Sequence, residues 1–131
     1  MMKPLAAFLL ACLVPPASAG EDWQKLYEDG AISVSVDAAS LSRRGQNWVF
    51  RERELMREPQ LDPASMRRIR EIRFLRQADC AAHRLNTLSR AEFSEHGVMV
   101  HYEARRAEAA AWDGPRSGRE LRLLLAVCGP A

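Results

Sequence analysis

The sequence predicts an α+β domain: a single antiparallel β-sheet of about five to six strands, covered by a C-terminal α-helix that one disulfide ties to it. Three observations lead to this fold class. Several short stretches alternate apolar and polar residues, as strands with one buried face do. The last stretch, residues 117–128, spaces its leucines as a helix does. Finally, the part of the chain after residue 19 contains two cysteines, one of them in that helix.

The first segment, residues 1–19, is predicted to be a secretory signal rather than part of the fold. It begins with the basic Lys3, continues with an apolar stretch, and ends with the small residues Ala17 and Ala19. This three-part pattern predicts cleavage after Ala19, which makes Gly20 the mature N-terminus. The mature domain then spans residues 20–131.

The apolar stretch at residues 5–14 is about half the ~20 residues that a membrane-spanning helix needs, so no transmembrane segment is predicted. An alternative is a lipid anchor, because residues 9–12 resemble a lipoprotein box in which Cys12 becomes the lipidated N-terminus. The stretch before Cys12 is short for that purpose, and a good cleavage site follows it. Simple cleavage is therefore the preferred prediction.

The first half of the mature chain is predicted to form three strands. Residues 23–27 form a short apolar strand, and 31–37 (AISVSVD) alternates cleanly between the two faces. Residues 42–45 provide a turn. Residues 47–56 then form a strand with Trp48 and Phe50 on one face and Val49, Arg51, Arg53 and Leu55 on the other.

The second half begins with residues 57–65, which contain two prolines and are predicted to be a loop. Residues 66–77 are ambiguous, because apolar residues three apart favour a helix while a shorter alternation favours a strand. Residues 81–93 form a weak strand pattern, and 98–104 form a clearer one. Residues 105–114 are expected to be a helical turn or an irregular link.

The terminal helix has the clearest local signals. Ser117 and Glu120 have the spacing of a capping box, and Gly129-Pro130 is a typical stop. Arg119 and Arg122 are expected to project away from the sheet. The predicted buried stripe consists of Leu121, Leu124, Leu125 and Cys128.

Cys80 and Cys128 are the two cysteines of the mature chain, and in an exported protein an even count predicts a disulfide. Two cysteines allow a single intramolecular pairing. The alternative is a pair of buried free thiols, which suits a cytosolic protein better. A bridge between these positions would clamp the end of the helix onto or beside a strand.

No enzymatic chemistry is predicted. The three histidines, His83, His96 and His101, have no metal-ligand spacing, and no nucleophile motif or phosphate-binding glycine loop occurs. The predicted mature chain has 18 basic and 17 acidic side chains, so its charge gives no reason to expect nucleic acid as a partner. No cofactor or metal is predicted.

One candidate binding site remains, an arginine-rich run in residues 67–76. It could form an anion-binding patch for acidic glycans, acidic lipid headgroups or an acidic protein. The alternative is a solvated sheet face on which Glu52, Glu54 and Glu71 neutralise the arginines. The candidate patch consists of Arg67, Arg68, Arg70 and Arg73, with Arg76 at its end.

In the order of its motifs, the chain resembles the surface-adhesin protein E-like family of exported bacterial proteins. The resemblance covers almost all of the mature chain. The residues that carry it are Trp23, VSVDAASLSRRG (34–45), NWVFRERE (47–54), Asp79-Cys80, Trp112, the 115–117 turn, Gly118 and Cys128.

The resemblance implies an antiparallel sheet with a disulfide-held C-terminal helix and a strand just before the first cysteine. The strand implied before the first cysteine favours a strand rather than a helix for residues 66–77. It also implies a non-enzymatic adhesin that binds host extracellular-matrix glycoproteins, in the periplasm or on the outer surface of a Gram-negative bacterium. The alternatives are a periplasmic accessory or structural protein with no host ligand, and a small-molecule carrier. The oligomeric state is not predicted.

Overall fold

The computed structural model describes residues 20–129. The predicted signal segment and Cys12 lie outside the described residues. Two short 3-10 turns, Ala38–Ser40 and Ala107–Ala109, lie in the connections. The strands and the helix are β1 Trp23–Glu28, β2 Ile32–Asp37, β3 Ser42–Arg44, β4 Asn47–Asp62, β5 Arg67–Asp79, β6 Arg84–Ser94, β7 Met99–Ala104 and α1 Gly118–Cys128.

All strands belong to one antiparallel seven-stranded sheet in the order β1-β2-β4-β5-β6-β7, with β3 paired to β4. The predicted fold class is therefore confirmed. The strand beyond the predicted six is β3, which lies in the predicted 42–45 turn. Its residues pair with Asn47–Val49, and the chain reverses at Gly45, whose positive φ of 62° suits a residue without a side chain.

The predicted loop at 57–65 is wrong for residues 57–62, because β4 continues to Asp62, and is confirmed for residues 63–65, which form a turn. Its register against β5 shifts between Leu55 and Gln60, so that residues 56–59 lie opposite Arg70 alone. Pro59 lies inside this bulge, where the ladder is interrupted and its missing N–H is tolerated. The prolines mark a bulge and the turn after it rather than the end of the strand.

The strand interpretation of residues 66–77 is confirmed by β5. Asp62 lies at the turn between β4 and β5. Its carboxylate accepts hydrogen bonds from the backbone N–H (3.1 Å) and the hydroxyl (2.6 Å) of Ser65, and the chain turns there into β5. The hydrogen bond from the Ser65 hydroxyl lowers the pKa of Asp62.

Helix α1 closes one face of the sheet over the main hydrophobic core. Leu123 and Leu124 are almost fully buried there, whereas Leu121 and Leu125 are 41% and 40% exposed. The predicted buried stripe is therefore confirmed for Leu124 and Cys128 and wrong for Leu121 and Leu125, because the helix is rotated so that Leu123 faces the core instead. The sheet residues of this core are Val36, Phe50, Ala78 and Leu85.

The arginines of the helix were expected to project away from the sheet. Arg122 is exposed, as expected, whereas Arg119 turns toward β4. Arg119 Nη1 lies 3.4 Å from a Glu54 carboxylate oxygen of β4, and the Arg122 guanidinium lies 5.4 Å from the centre of the Tyr27 ring. These contacts occupy one flank of the helix and help to set its rotation.

Both ends of the helix carry the predicted residues. The Ser117 hydroxyl accepts from the backbone N–H of Glu120 at 3.2 Å, and Gly129 ends the helix with a φ of 82°. The reciprocal half of the capping box differs from prediction, because the Glu120 carboxylate accepts from the backbone N–H of Arg116 at 2.7 Å rather than from Ser117.

The predicted disulfide is present. The sulfur atoms of Cys80 and Cys128 are 2.07 Å apart and their Cα atoms 5.6 Å apart. Cys80 follows β5 directly, so the bridge joins the end of the helix to a strand near the middle of the sheet. Both cysteines pack against the main core.

The face of the sheet opposite the helix has a smaller apolar cluster. Val49, Leu88 and Ala110 are buried in it, and Leu75 and Ala107 pack against them. The connection from β7 to α1, which includes the second 3-10 turn, covers this end of the face. Within residues 20–129, no helix lies over the rest of the face, which is called the helix-free face below.

Candidate functional site

The helix-free face brings two arginines together at its centre. Arg53 of β4 and Arg73 of β5 are direct cross-strand partners. Ser35 of β2 pairs with Arg53, and Ala91 of β6 pairs with Arg73. Directly paired residues have Cβ atoms about 5 Å apart, and like charges in such positions repel each other. The arrangement therefore destabilises the sheet unless other groups offset it.

Aromatic rings flank both guanidinium groups. Arg53 lies 4.4 Å from the centre of the Trp23 ring. Arg73 lies 5.9 Å from the same ring and 5.0 Å from the ring of Phe93. Trp23, Arg53, Arg73 and Phe93 thus form a continuous arginine–aromatic row across the sheet. Stacking of this kind holds the guanidinium planes in place by cation–π attraction.

Carboxylates neutralise Arg73 and leave Arg53 unpaired. Glu71 accepts from Arg73 Nε at 2.6 Å, and Glu21 lies 3.4 Å from Arg73 Nη1. Glu21 also accepts from the indole N–H of Trp23 at 2.9 Å. Within residues 20–129, Arg53 has no carboxylate within 4.0 Å, and its shielded Nε–H has no acceptor.

A hollow of about 290 Å³ adjoins the arginine–aromatic row at Glu21. Its wall includes Arg51, which is exposed and has no carboxylate within 4.0 Å in the described part of the chain. The hydroxyls of Ser40 and Ser42 line the same hollow. Buried Asp37 also lines it, with its carboxylate occupied by the backbone N–H groups of Asp22 and Ala39.

The predicted patch is divided among separate places. Arg67 and Arg68 line a hollow of about 390 Å³ at the tip of the β4–β5 hairpin, beside the exposed Leu61, Met66 and Val98. Arg70 lies opposite the β4 bulge and lines a smaller hollow with Glu28 and Arg57. Arg73 alone belongs to the arginine–aromatic row. The four arginines do not form one continuous surface.

Arg76 lies on the helix-covered face. One of its terminal nitrogens is 3.0 Å from a carboxylate oxygen of Glu52, which is 2% exposed. Burial raises the pKa of Glu52, while the neighbouring Arg76 opposes that rise. This ion pair lies beneath the helix, so Arg76 contributes to the interior rather than to a surface patch.

Sequence reasoning missed Arg53 and Trp23 as site residues. The alternation in NWVFRERELM does place Arg51 and Arg53 on the face opposite Phe50, and that signal was available. The position of Trp23 over this pair depends on how β1 and the residues before it cross the sheet. A local pattern does not contain that information.

Among residues 20–129, no three histidine, cysteine, aspartate or glutamate side chains are grouped so that they could hold a metal ion. In that same part of the chain, no helix is both long enough and apolar enough to span a membrane.

The geometry defines a small α+β domain: an antiparallel sheet with a disulfide-held helix on one face and a row of stacked arginines on the other. The family model of surface-adhesin protein E matches residues 23–129. The chain therefore belongs to the surface-adhesin protein E family.

Two solved structures have a similar fold. The structure of Haemophilus influenzae protein E is 18% identical, with a TM-score of 0.54, over 91% of this chain and 95% of that one. The crystal structure of protein E from non-typeable Haemophilus influenzae is 15% identical, with a TM-score of 0.55, over 88% and 81%. No curated protein matches the chain.

Proposed function

We propose that this chain is an exported, non-enzymatic binding module that acts as an adhesin for host matrix glycoproteins. The observation that carries the proposal is membership of the surface-adhesin protein E family over residues 23–129. The helix-free face supports it, because it presents the unpaired cations Arg51 and Arg53 beside Trp23. Such a surface suits recognition of anionic groups rather than catalysis.

Export is part of the proposal. Residues 1–19 act as the secretory signal, and cleavage after Ala19 leaves Gly20 as the N-terminus. The Cys80–Cys128 disulfide supports this route, because such bonds form and persist in oxidising compartments outside the cytosol.

The test is fractionation of a Gram-negative host that expresses the full chain. We expect a processed protein whose N-terminal peptide begins at Gly20 without an acyl chain, detected by mass spectrometry. Protease treatment of intact cells is expected to remove it, and it is expected to bind immobilised matrix glycoproteins.

A protein that is processed but spared by the protease would instead be the periplasmic accessory protein. A lipidated Cys12 at the N-terminus would replace simple cleavage by a lipid anchor. An unprocessed cytosolic chain with three titratable thiols, those of Cys12, Cys80 and Cys128, would contradict the proposal as a whole.

A further inference from the structure

We propose that the arginine–aromatic row of the helix-free face is a binding site for a sulfated glycosaminoglycan of the host matrix. The site is centred on Arg53, with Trp23 and Phe93 as stacking surfaces. This inference rests on the proposed function and specifies its ligand and its site. The geometry also places the site on the face of the sheet, away from the arginines at the hairpin tip.

First, Arg53 has a positive charge with no carboxylate partner among residues 20–129. Arg53 opposes another cation, Arg73, yet both nearby carboxylates, Glu21 and Glu71, bond to Arg73. The terminal nitrogens of Arg53 make no hydrogen bond within the described chain and are open to solvent, while its Nε–H is shielded without an acceptor. A sulfate or carboxylate would supply the charge and the acceptors that this guanidinium lacks.

The second step is the shape of the surface. The arginine–aromatic row continues at the edge strand through Tyr102, which pairs with Ala91 and is 57% exposed. Neighbouring strands are about 4.8 Å apart, so Arg53 and Tyr102, which lie three strands apart, are separated by about 14 Å across the sheet. An extended chain of sugar rings can lie on such a surface, with the rings against Trp23, Phe93 and Tyr102.

The third step is the second free cation. Arg51 is two residues from Arg53 on the same strand face, and it lines the hollow that adjoins Glu21. A glycosaminoglycan has repeated anionic groups, so Arg51 and Arg53 can take successive ones. A single phosphate or carboxylate would use only one of these two cations.

The experiment is isothermal titration of the mature, disulfide-bonded protein with a heparin-derived hexasaccharide, and with a polyglutamate peptide of equal charge. We expect R53Q to weaken hexasaccharide binding by tenfold or more, as roughly expected for loss of one charge-assisted contact. R53K retains the positive charge but lacks the planar guanidinium that donates two parallel hydrogen bonds. We expect it to weaken hexasaccharide binding by about threefold or more.

The matched control is R68Q, the same chemical change at the hairpin tip, which is expected to leave the affinity within about twofold of wild type. Thermal melting of each variant confirms that it is folded, and R53K serves if R53Q does not fold. Equal losses in R53Q and R68Q, a loss in R68Q alone, or equally tight binding of polyglutamate would each overturn the proposal.

Failure of this inference is distinguishable from failure of the proposed function. A surface-exposed protein that binds matrix glycoproteins but not the hexasaccharide would overturn the glycosaminoglycan site and leave the adhesin proposal standing. A cytosolic protein with Arg53-dependent hexasaccharide binding would overturn the adhesin proposal and leave the glycosaminoglycan site standing.

Discussion

At the scale of single residues, the same side-chain type has opposite roles on the two faces of this sheet. Arg76 neutralises the buried Glu52 beneath the helix, whereas Arg53, on the helix-free face, has no carboxylate partner among residues 20–129. Arg73 lies between these cases, stacked on aromatic rings and bonded to two carboxylates. The role of each arginine follows from its cross-strand neighbours and from the element that covers its face.

Glu52 leads to a pH prediction. Burial raises its pKa in the folded chain, so the folded state binds the proton more strongly than the unfolded state. Its contribution to stability is therefore fully present below the unfolded pKa of about 4.3 and is lost as the pH rises through the folded pKa. In E52Q this group cannot titrate.

We therefore expect the free energy of unfolding of wild type to fall relative to that of E52Q as the pH is raised from acid to neutral. Urea unfolding of both proteins across this range measures the difference. Two parallel pH curves would show that the ionisation of Glu52 is not coupled to folding.

At the scale of elements, the rotation of α1 is the feature that tertiary contacts decided. Most residues of LRLLLAVC are apolar, so several rotations of the helix about its axis would bury a continuous apolar stripe. The observed one buries Leu123 and Leu124, turns Arg119 toward Glu54, and brings Cys128 to Cys80. The hydrophobic periodicity leaves several rotations of the helix nearly equivalent. The Cys80–Cys128 disulfide and the Arg119–Glu54 ion pair therefore select one of them.

Alanine substitution distinguishes the two faces of the helix. We expect L124A to lower the free energy of unfolding by about 2 to 5 kcal/mol, because Leu124 is fully buried and its truncation leaves a cavity. L121A is the matched control, and we expect a loss of less than about 1 kcal/mol because Leu121 is exposed. Chemical denaturation measures both, and a larger loss in L121A would restore the predicted stripe.

At the scale of the whole molecule, the domain is asymmetric. One face of the sheet is closed by the helix over an apolar core, and the other has a small cluster at one end and the arginine–aromatic row at its centre. A single sheet with one cover has a limited core, so the covalent link to that cover matters for stability. The disulfide lies on the helix side of the sheet, opposite the arginine–aromatic row.

Removal of the disulfide tests how much this covalent link contributes to stability. The C80S/C128S double variant opens a loop whose ends are 48 residues apart, and the loop-entropy model predicts a loss of about 4 kcal/mol in the free energy of unfolding. Reversible urea unfolding measures the loss, and reduced wild type provides the control. A loss below about 1 kcal/mol would show that the helix is held by packing alone.

Most of the elements could be predicted from the sequence because their signals are local. The alternation in AISVSVD, the serine cap at Ser117 and the glycine stop at Gly129 each act within a few residues. The cysteine pairing was predictable for a different reason: the part of the chain after residue 19 contains only two cysteines. The continuation of β4 beyond residue 56 was not predictable. Pro59 is tolerated there because it lies in a bulge, and that bulge is defined by the register against β5, which the local sequence does not contain.

The sequence by itself determined the fold class, the positions of most strands, the ends of the helix and the two sulfur atoms that join. Only the tertiary structure decided which arginines are neutralised, which leucines are buried and where Trp23 lies. The physical reason is that periodicity describes neighbours along one chain segment. Charge pairing and burial instead depend on the register between strands, and the bulges at Arg70 and in β4 shift that register.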